Sequence, residues 1–240
     1  MALRRIRRAR TLAGKGYPSG AERSRVPGDD FRSDRLRALT PAGRPAEPIE
    51  VAAVAGRFTT GGQWEERWRF SSLMRPPDDV PVTRFDIAQN GLTADVLRAQ
   101  RAPGEVMAEL DAQLADPPYR LVAHSAHTEA AAIGGQREHC PVLAATPLLC
   151  TVRLARLAYP GLPSHKLDEL LRHLNIPKPA SRHRALPDVE LTIPVFREIL
   201  AAGHANRTWA TMLDLDIVSR AQIKPRRPTT ADPGEQTALF

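Results

Sequence analysis

The apolar positions of this 240-residue chain change their spacing several times, and each change predicts a different kind of element. Residues 1 to about 33 carry Arg, Gly, Pro and Asp with hardly any periodic apolar position. Such a segment has too little surface to bury against the entropy of ordering it, and it reads as a basic, disordered arm. From "PIEVAAVAGRF" onward short β-type runs appear: 49–58, then "QWEERWRFSSLM" at 63–74, where Trp64, Trp68 and Phe70 recur at even spacing. The Gly61-Gly62 pair between them suits a tight turn, which makes the two runs an antiparallel hairpin.

The period then lengthens. "TADVLRA" and "GEVMAELDAQLA" (104–115) have helical spacing, with Val106, Leu110 and Leu114 on one stripe and Pro117-Pro118 as a stop. "YRLVAHS" (119–125) reads as a short buried strand, and "HTEAAAIGGQREH" as a helix weakened by Gly134-Gly135. "CTVRLARLAYPG" and "PSHKLDELLRHLNIP" predict two further helices, the second capped by Ser164. A last helix starts near His183 and runs to about Ala202, with a kink at Pro194. Strands first, then strand and helix alternating, predict an α/β domain over about 34–203. A 204–240 extension follows: a less regular stretch with Trp209, Met212, Leu213 and Ile217, then a Pro-, Arg- and Thr-rich tail from about 224.

Charge adds a partner class. The formal net charge is +7, and clustered cations gain free energy by releasing counterions from a polyanion. Arg far outnumbers Lys beside abundant Ala and Pro, so composition alone accounts for part of that charge. In "RRIRRAR", Arg4, Arg5, Arg7 and Arg8 read either as nucleic-acid contacts or as a solubilising segment. Cys140 and Cys150 have no C-x-x-C spacing, which fits a reducing compartment and small buried side chains rather than a disulfide framework. No apolar run approaches the ~20 residues of a membrane span. The Arg-rich N-terminus lacks the apolar stretch of a secretory signal. The expectation is a soluble cytoplasmic protein without a membrane partner.

Three blocks go further: "LVAHSAHTE" (121–129), "TVRLARLAYPGLPSHKLDELL" (151–171) and "HRALPDVELT" (183–192). In order and spacing they resemble the DnaQ-like (DEDDh) 3′–5′ exonucleases, the family of the proofreading epsilon subunit of bacterial DNA polymerase III. The resemblance covers most of 36–200 and implies an α/β, ribonuclease H-like fold of three layers, a mixed sheet flanked by helices. It also implies phosphodiester hydrolysis with two divalent cations, Mg²⁺ or Mn²⁺, held by converging carboxylates. By this likeness His183 is the general base, a neutral imidazole being able to take a proton near pH 7. Asp188 matches the last metal-ligand Asp, Glu129 stands where the family has its middle Asp, and His124 organises the site.

The first motif departs from the family. Counting back without gaps from "RPAEPIEVAAV", the Asp-x-Glu pair falls on Arg37 and Leu39, and no register of "DDFRSDRLRALT" yields Asp-x-Glu. Asp34 is the nearest substitute, and Glu50 lies in the next strand. Four acids neutralise two dications, whereas Glu129 and Asp188 alone leave about +2 uncompensated, and an added Arg repels a cation by several kcal/mol in a partly buried pocket. The expectation is weakened or absent hydrolysis, with no bound metal as one outcome and Arg37 turned to a nucleic-acid phosphate as another. The alternative is a fully active 3′–5′ DNA exonuclease using His183.

At the end of the chain, Gln236, Leu239 and Phe240 in "GEQTALF" resemble the sliding-clamp-binding peptides of bacterial polymerases and repair proteins. Such an end either engages a clamp, and through it DNA polymerase III, or docks its apolar residues on its own domain. The partner expected of the domain itself is nucleic acid, single-stranded DNA 3′ ends in particular.

Overall fold

The computed structural model describes residues 30–41, 43–59, 61–114, 119–179 and 184–225. Their elements, in chain order, are β1 (Asp30–Leu39), β2 (Glu47–Phe58), β3 (Trp64–Leu73), α1 (Arg84–Asn90), α2 (Ala94–Arg98), α3 (Pro103–Ala112) and β4 (Tyr119–Ala123). Then follow α4 (His127–Gly135), α5 (Pro141–Ala145), β5 (Leu148–Cys150), α6 (Thr151–Ala158), α7 (Leu167–His173), α8 (Ala185–Ala205), α9 (Met212–Ser219) and β6 (Arg220–Ala221). The strands make one six-stranded sheet of order β3-β2-β1-β4-β5-β6. β1–β2 and β2–β3 pair antiparallel, β1–β4 and β4–β5 pair parallel, and β6 returns antiparallel to β5.

Helices cover both faces of the sheet, which is what a buried, partly parallel sheet requires. One face packs Val51, Ala53 and Ala55 of β2 and Leu121 and Ala123 of β4 on Val106, Met107 and Leu110 of α3 and on Ile133 of α4. The Val106, Leu110 and Leu114 stripe is buried there as its spacing predicts. On the other face Ala52 and Val54 meet Ala185, Val189 and Ile193 of α8. Phe31, Phe58, Trp64 and Phe196 stack beside them, with Phe31 and Phe196 edge-to-face at 5.1 Å.

The expected hairpin is β2–β3, turned through Gly62 at φ +74°. Its aromatic residues do not all share a face. The ladder shifts register between Ala55 and Gly56, pairing Trp68 with Ala55 but Glu66 with Gly56. The extra residue sends Trp64 towards α8, while Trp68 and Phe70 pack on the opposite layer.

Other differences from the sequence expectations have local causes. β1 already runs from Asp30, ahead of the expected start at about 34, and its residues Arg32 and Asp34 are buried. The domain also runs past 203: Trp209 and Leu215 are buried, and β6 supplies the sixth strand. Lys166, not Ser164, is the N-cap of α7, and the Ser164 hydroxyl accepts from the Lys166 N–H at 3.4 Å. α8 runs unbroken through Pro194. Cys140 and Cys150 are buried as free thiols. No helix among the described residues is long and apolar enough to cross a membrane.

Gly203 of α8 lies directly against the Trp209 ring, whose indole N–H donates to the Leu200 carbonyl at 3.3 Å. A β-carbon there overlaps the ring, so Gly203→Ala is expected to displace Trp209 and cost about 1–3 kcal/mol. An unchanged denaturant midpoint in that variant contradicts the expectation.

Candidate functional site

The site lies where the parallel strands β1 and β4 end, the usual location in open α/β sheets. β4 pairs with β1 only from Asp30 to Ser33, so the rest of that edge of β1 is left for other groups. The Leu36 N–H takes Glu129 Oε1 of α4 as its acceptor at 3.3 Å, beside the strand. On the α8 side, Asp188 stands in the helix's first turn, 4% exposed. α8 has no side-chain cap of its own. Glu50 of β2 serves instead, accepting from the Ala185 N–H at 3.1 Å and from Arg184 Nε at 2.8 Å. This buried carboxylate satisfies a helix N-terminus and thereby sets where Asp188 points.

Two arginines of β1 fill the interval between the acids. Side chains alternate along a strand, so Arg35 and Arg37 share a face. Arg35 Nη1 donates to Glu129 Oε1 at 3.3 Å and to the His124 carbonyl at 3.1 Å, and Arg35 Nε lies 3.6 Å from Asp188 Oδ2. Arg37 Nη2 donates to the same Asp188 oxygen at 2.7 Å, and its Nε is 4.0 Å from Glu50 Oε2. The two side chains are 25% and 15% exposed, so their charges sit at the floor of the site rather than in bulk water. Burial dominates the chemistry of Glu129: desolvation pushes its carboxyl up to about 7, although Arg35 and the Leu36 N–H favour the ionised form.

The sequence-derived residues fall into three groups. Glu129, Asp188, Arg37 and His124 come together, with His124 lining the cleft and its Nδ1 2.9 Å from Thr151 Oγ1. Leu39 does not join them. Past an irregularity between Arg37 and Ala38, where Ile49 has no partner in β1, Leu39 packs with Ile49, Val80, Leu92 and Leu97. Asp34 faces the other layer, bonded to Arg32 Nε at 2.6 Å beneath Trp68, and burial pushes its carboxyl up to about 6. His183, Arg4, Arg5, Arg7, Arg8, Gln236, Leu239 and Phe240 lie outside the described residues. The residue that sequence reasoning missed is Arg35. Its signal was the Arg35/Arg37 spacing of two, which puts both on one face once the strand is recognised.

A cleft of about 690 Å³ opens above this floor. Its charged lining is Arg35, Arg156, Lys166 and Asp188, joined by His124 and His165. Two divalent cations need several unspent carboxylates, yet Glu129 and Asp188 are bonded to guanidinium groups. Among the described residues, no cluster of three or more His, Cys, Asp or Glu is placed to hold a metal ion. The described residues therefore do not fit a two-cation centre. They fit an internally neutralised pocket with cationic walls.

Comparison with known proteins bears on this geometry. The RNase_T family model, described as exonuclease, matches residues 38–196. The 3′-5′ exonuclease DinG of Bacillus subtilis is 30% identical over 168 residues, 67% of this chain and 17% of that protein. The DNA polymerase III epsilon subunit of Aquifex aeolicus is 29% identical over 163 residues, 68% of this chain and 77% of that one. A PolC-type DNA polymerase III of Halalkalibacterium halodurans is 32% identical over 125 residues, which span only 8% of its length. Among solved structures, the nuclease domain of 3′hExo, a DEDDh family member bound to rAMP, superposes with a TM-score of 0.61 at 18% identity, covering 74% of this chain and 94% of that one. Exonuclease X in complex with 5′-overhanging duplex DNA gives 0.57 at 21% identity, covering 79% and 99%.

Proposed function

Because the chain belongs to the RNase_T exonuclease family, we propose that it is a DnaQ-like member that binds nucleic-acid 3′ ends in DNA replication or repair in the cytoplasm, with its hydrolytic step weakened or lost. One observation carries this reading: Arg35 and Arg37 hold Glu129 and Asp188 in ion pairs where the family, which is generally dependent on divalent metals, gathers carboxylates. A guanidinium at that distance repels a cation and leaves the carboxylates little charge to offer it. Fold and cleft are kept while the charge that drives hydrolysis is reversed.

The same reading takes Arg4, Arg5, Arg7 and Arg8 as phosphate contacts, and Gln236, Leu239 and Phe240 as a tether to a sliding clamp or DNA polymerase III. The competing reading is a working 3′–5′ exonuclease with His183 as general base and Mg²⁺ or Mn²⁺ at Glu129 and Asp188. It rests on His183 and Asp188, which match the family, and on Glu129, which keeps the charge of the family's middle Asp.

A 3′-labelled single strand incubated with Mg²⁺ or Mn²⁺ separates the two. Wild type and His183→Ala are expected to be equally slow while both shift the strand in electrophoresis, with a steep loss of binding as salt rises. His183-dependent turnover at ordinary exonuclease rates overturns the proposal.

A further inference from the structure

Resting on the reading of a strand-end-binding site, we infer that this cleft takes a terminal nucleotide phosphate directly on its arginines and needs no divalent cation to do so. Three cations, Arg35, Arg156 and Lys166, line it against one carboxylate, Asp188. That carboxylate is already bonded to Arg37 at 2.7 Å through the oxygen that Arg35 also approaches. A cleft that relied on bound dications to attract phosphate would be acidic before they arrived. This one is cationic as it stands, so an anion entering it meets attraction without any added ion.

The donors are also suitably placed. Arg35 is held at the floor by the His124 carbonyl and Glu129, so its planar guanidinium has one orientation, and its 25% exposed surface opens into the cleft. A phosphate group accepts paired N–H donors of that kind strongly, and burial at the floor strengthens the contact. Arg156 and Lys166 are exposed on the rim, near enough to the same volume to meet the next phosphate of a strand. Val152, Leu162 and Leu167 of the same lining give apolar surface for a sugar or base. The volume, about 690 Å³, is within the range of small-ligand pockets.

The test is fluorescence anisotropy of a short 5′-labelled oligothymidylate with the full-length protein, in EDTA and in Mg²⁺ at matched ionic strength. Affinity is expected to be the same within about twofold in the two buffers once counterion competition is equalised. Arg156→Ala with Lys166→Ala is expected to weaken binding at least about tenfold without lowering the melting temperature, since both residues are exposed. Arg35→Gln should weaken it further, with circular dichroism confirming that the variant is folded.

Binding that appears only with Mg²⁺ overturns the inference and leaves the strand-end reading standing. Failure to bind in either buffer overturns both. Unlabelled thymidine monophosphate serves as competitor: if it binds as tightly as the strand, the ligand is a free nucleotide and the assignment to strand ends is wrong. Weaker competition by the monophosphate, together with loss of strand binding in the rim variant, supports the inference as stated.

Discussion

The double substitution Arg35→Asp, Arg37→Glu is expected to make the stability of the protein depend on divalent metal. Two ion pairs vanish and two new carboxylates join Glu129 and Asp188 around one small volume. In EDTA the variant should lose about 3–5 kcal/mol of stability, the usual penalty for a buried charge whose partner is removed. Added Mn²⁺ neutralises the cluster, and a cation that binds only the folded state returns about 3 kcal/mol at a hundredfold excess over its Kd. Thermal melts of both proteins across a Mn²⁺ series decide the matter. Wild type should show no rise in melting temperature, and the variant a large one. A rise of equal size in wild type would falsify the claim that the arginines exclude cations.

Glu129→Gln should be more stable than wild type at pH 8 and nearly equal to it at pH 5. The folded protein raises this carboxyl from 4.5 to about 7, chiefly by desolvation, so it holds the proton more tightly than the unfolded chain does. The resulting stabilisation is complete below 4.5, declines as pH rises towards 7 and is gone above it. Above pH 7 the wild type must carry a charge in a site shut off from water, and an amide of the same shape avoids that charge at a gain on the order of 3 kcal/mol. The amide oxygen can still accept from the Leu36 N–H. Asp34, pushed up to about 6, adds a dependence of the same sign in both proteins, and its charge also helps to raise Glu129. Urea midpoints at the two pH values provide the measurement. A variant less stable than wild type at pH 8 would mean that the Arg35–Glu129 attraction outweighs desolvation.

Legibility in the sequence depended on how far each element's pattern was local. The β2–β3 hairpin and the α3 stripe are visible because alternation, a Gly-Gly turn and a 3.6 period lie within one short window. β1 is not visible in that way. Its residues Phe31, Leu36 and Leu39 break alternation, and its inward positions carry the Arg32–Asp34 pair, which looks like surface until the partner is known. α9 escaped for a different reason: Leu213 and Ile217 are apolar yet 66% and 73% exposed, so its apolar residues do not mark a single buried face.

The same distinction applies to the candidate site. Glu129 and Asp188 stand out because their flanking blocks resemble a family, whereas Arg35 becomes visible only through geometry. An ungapped count placed the altered motif on Arg37 and Leu39. The residues that face the two acids are Arg35 and Arg37, a displacement of two positions that shows only once β1 is recognised as a strand. The function of Glu50 was also invisible, since a carboxylate on β2 that caps α8 depends on contacts across 135 residues of sequence.

Arg35 and Arg37 differ from a bound metal ion in one respect with practical weight. An ion must be captured from solution and is lost to any stronger chelator, whereas a guanidinium fastened to the strand is present at an effective concentration fixed by its covalent attachment. Its supply does not vary with growth medium, dialysis or a neighbouring nucleotide that sequesters magnesium. Whatever docks above Asp188 therefore meets the same positive surface on every copy of the protein, from the moment the first strand finds its place in the sheet.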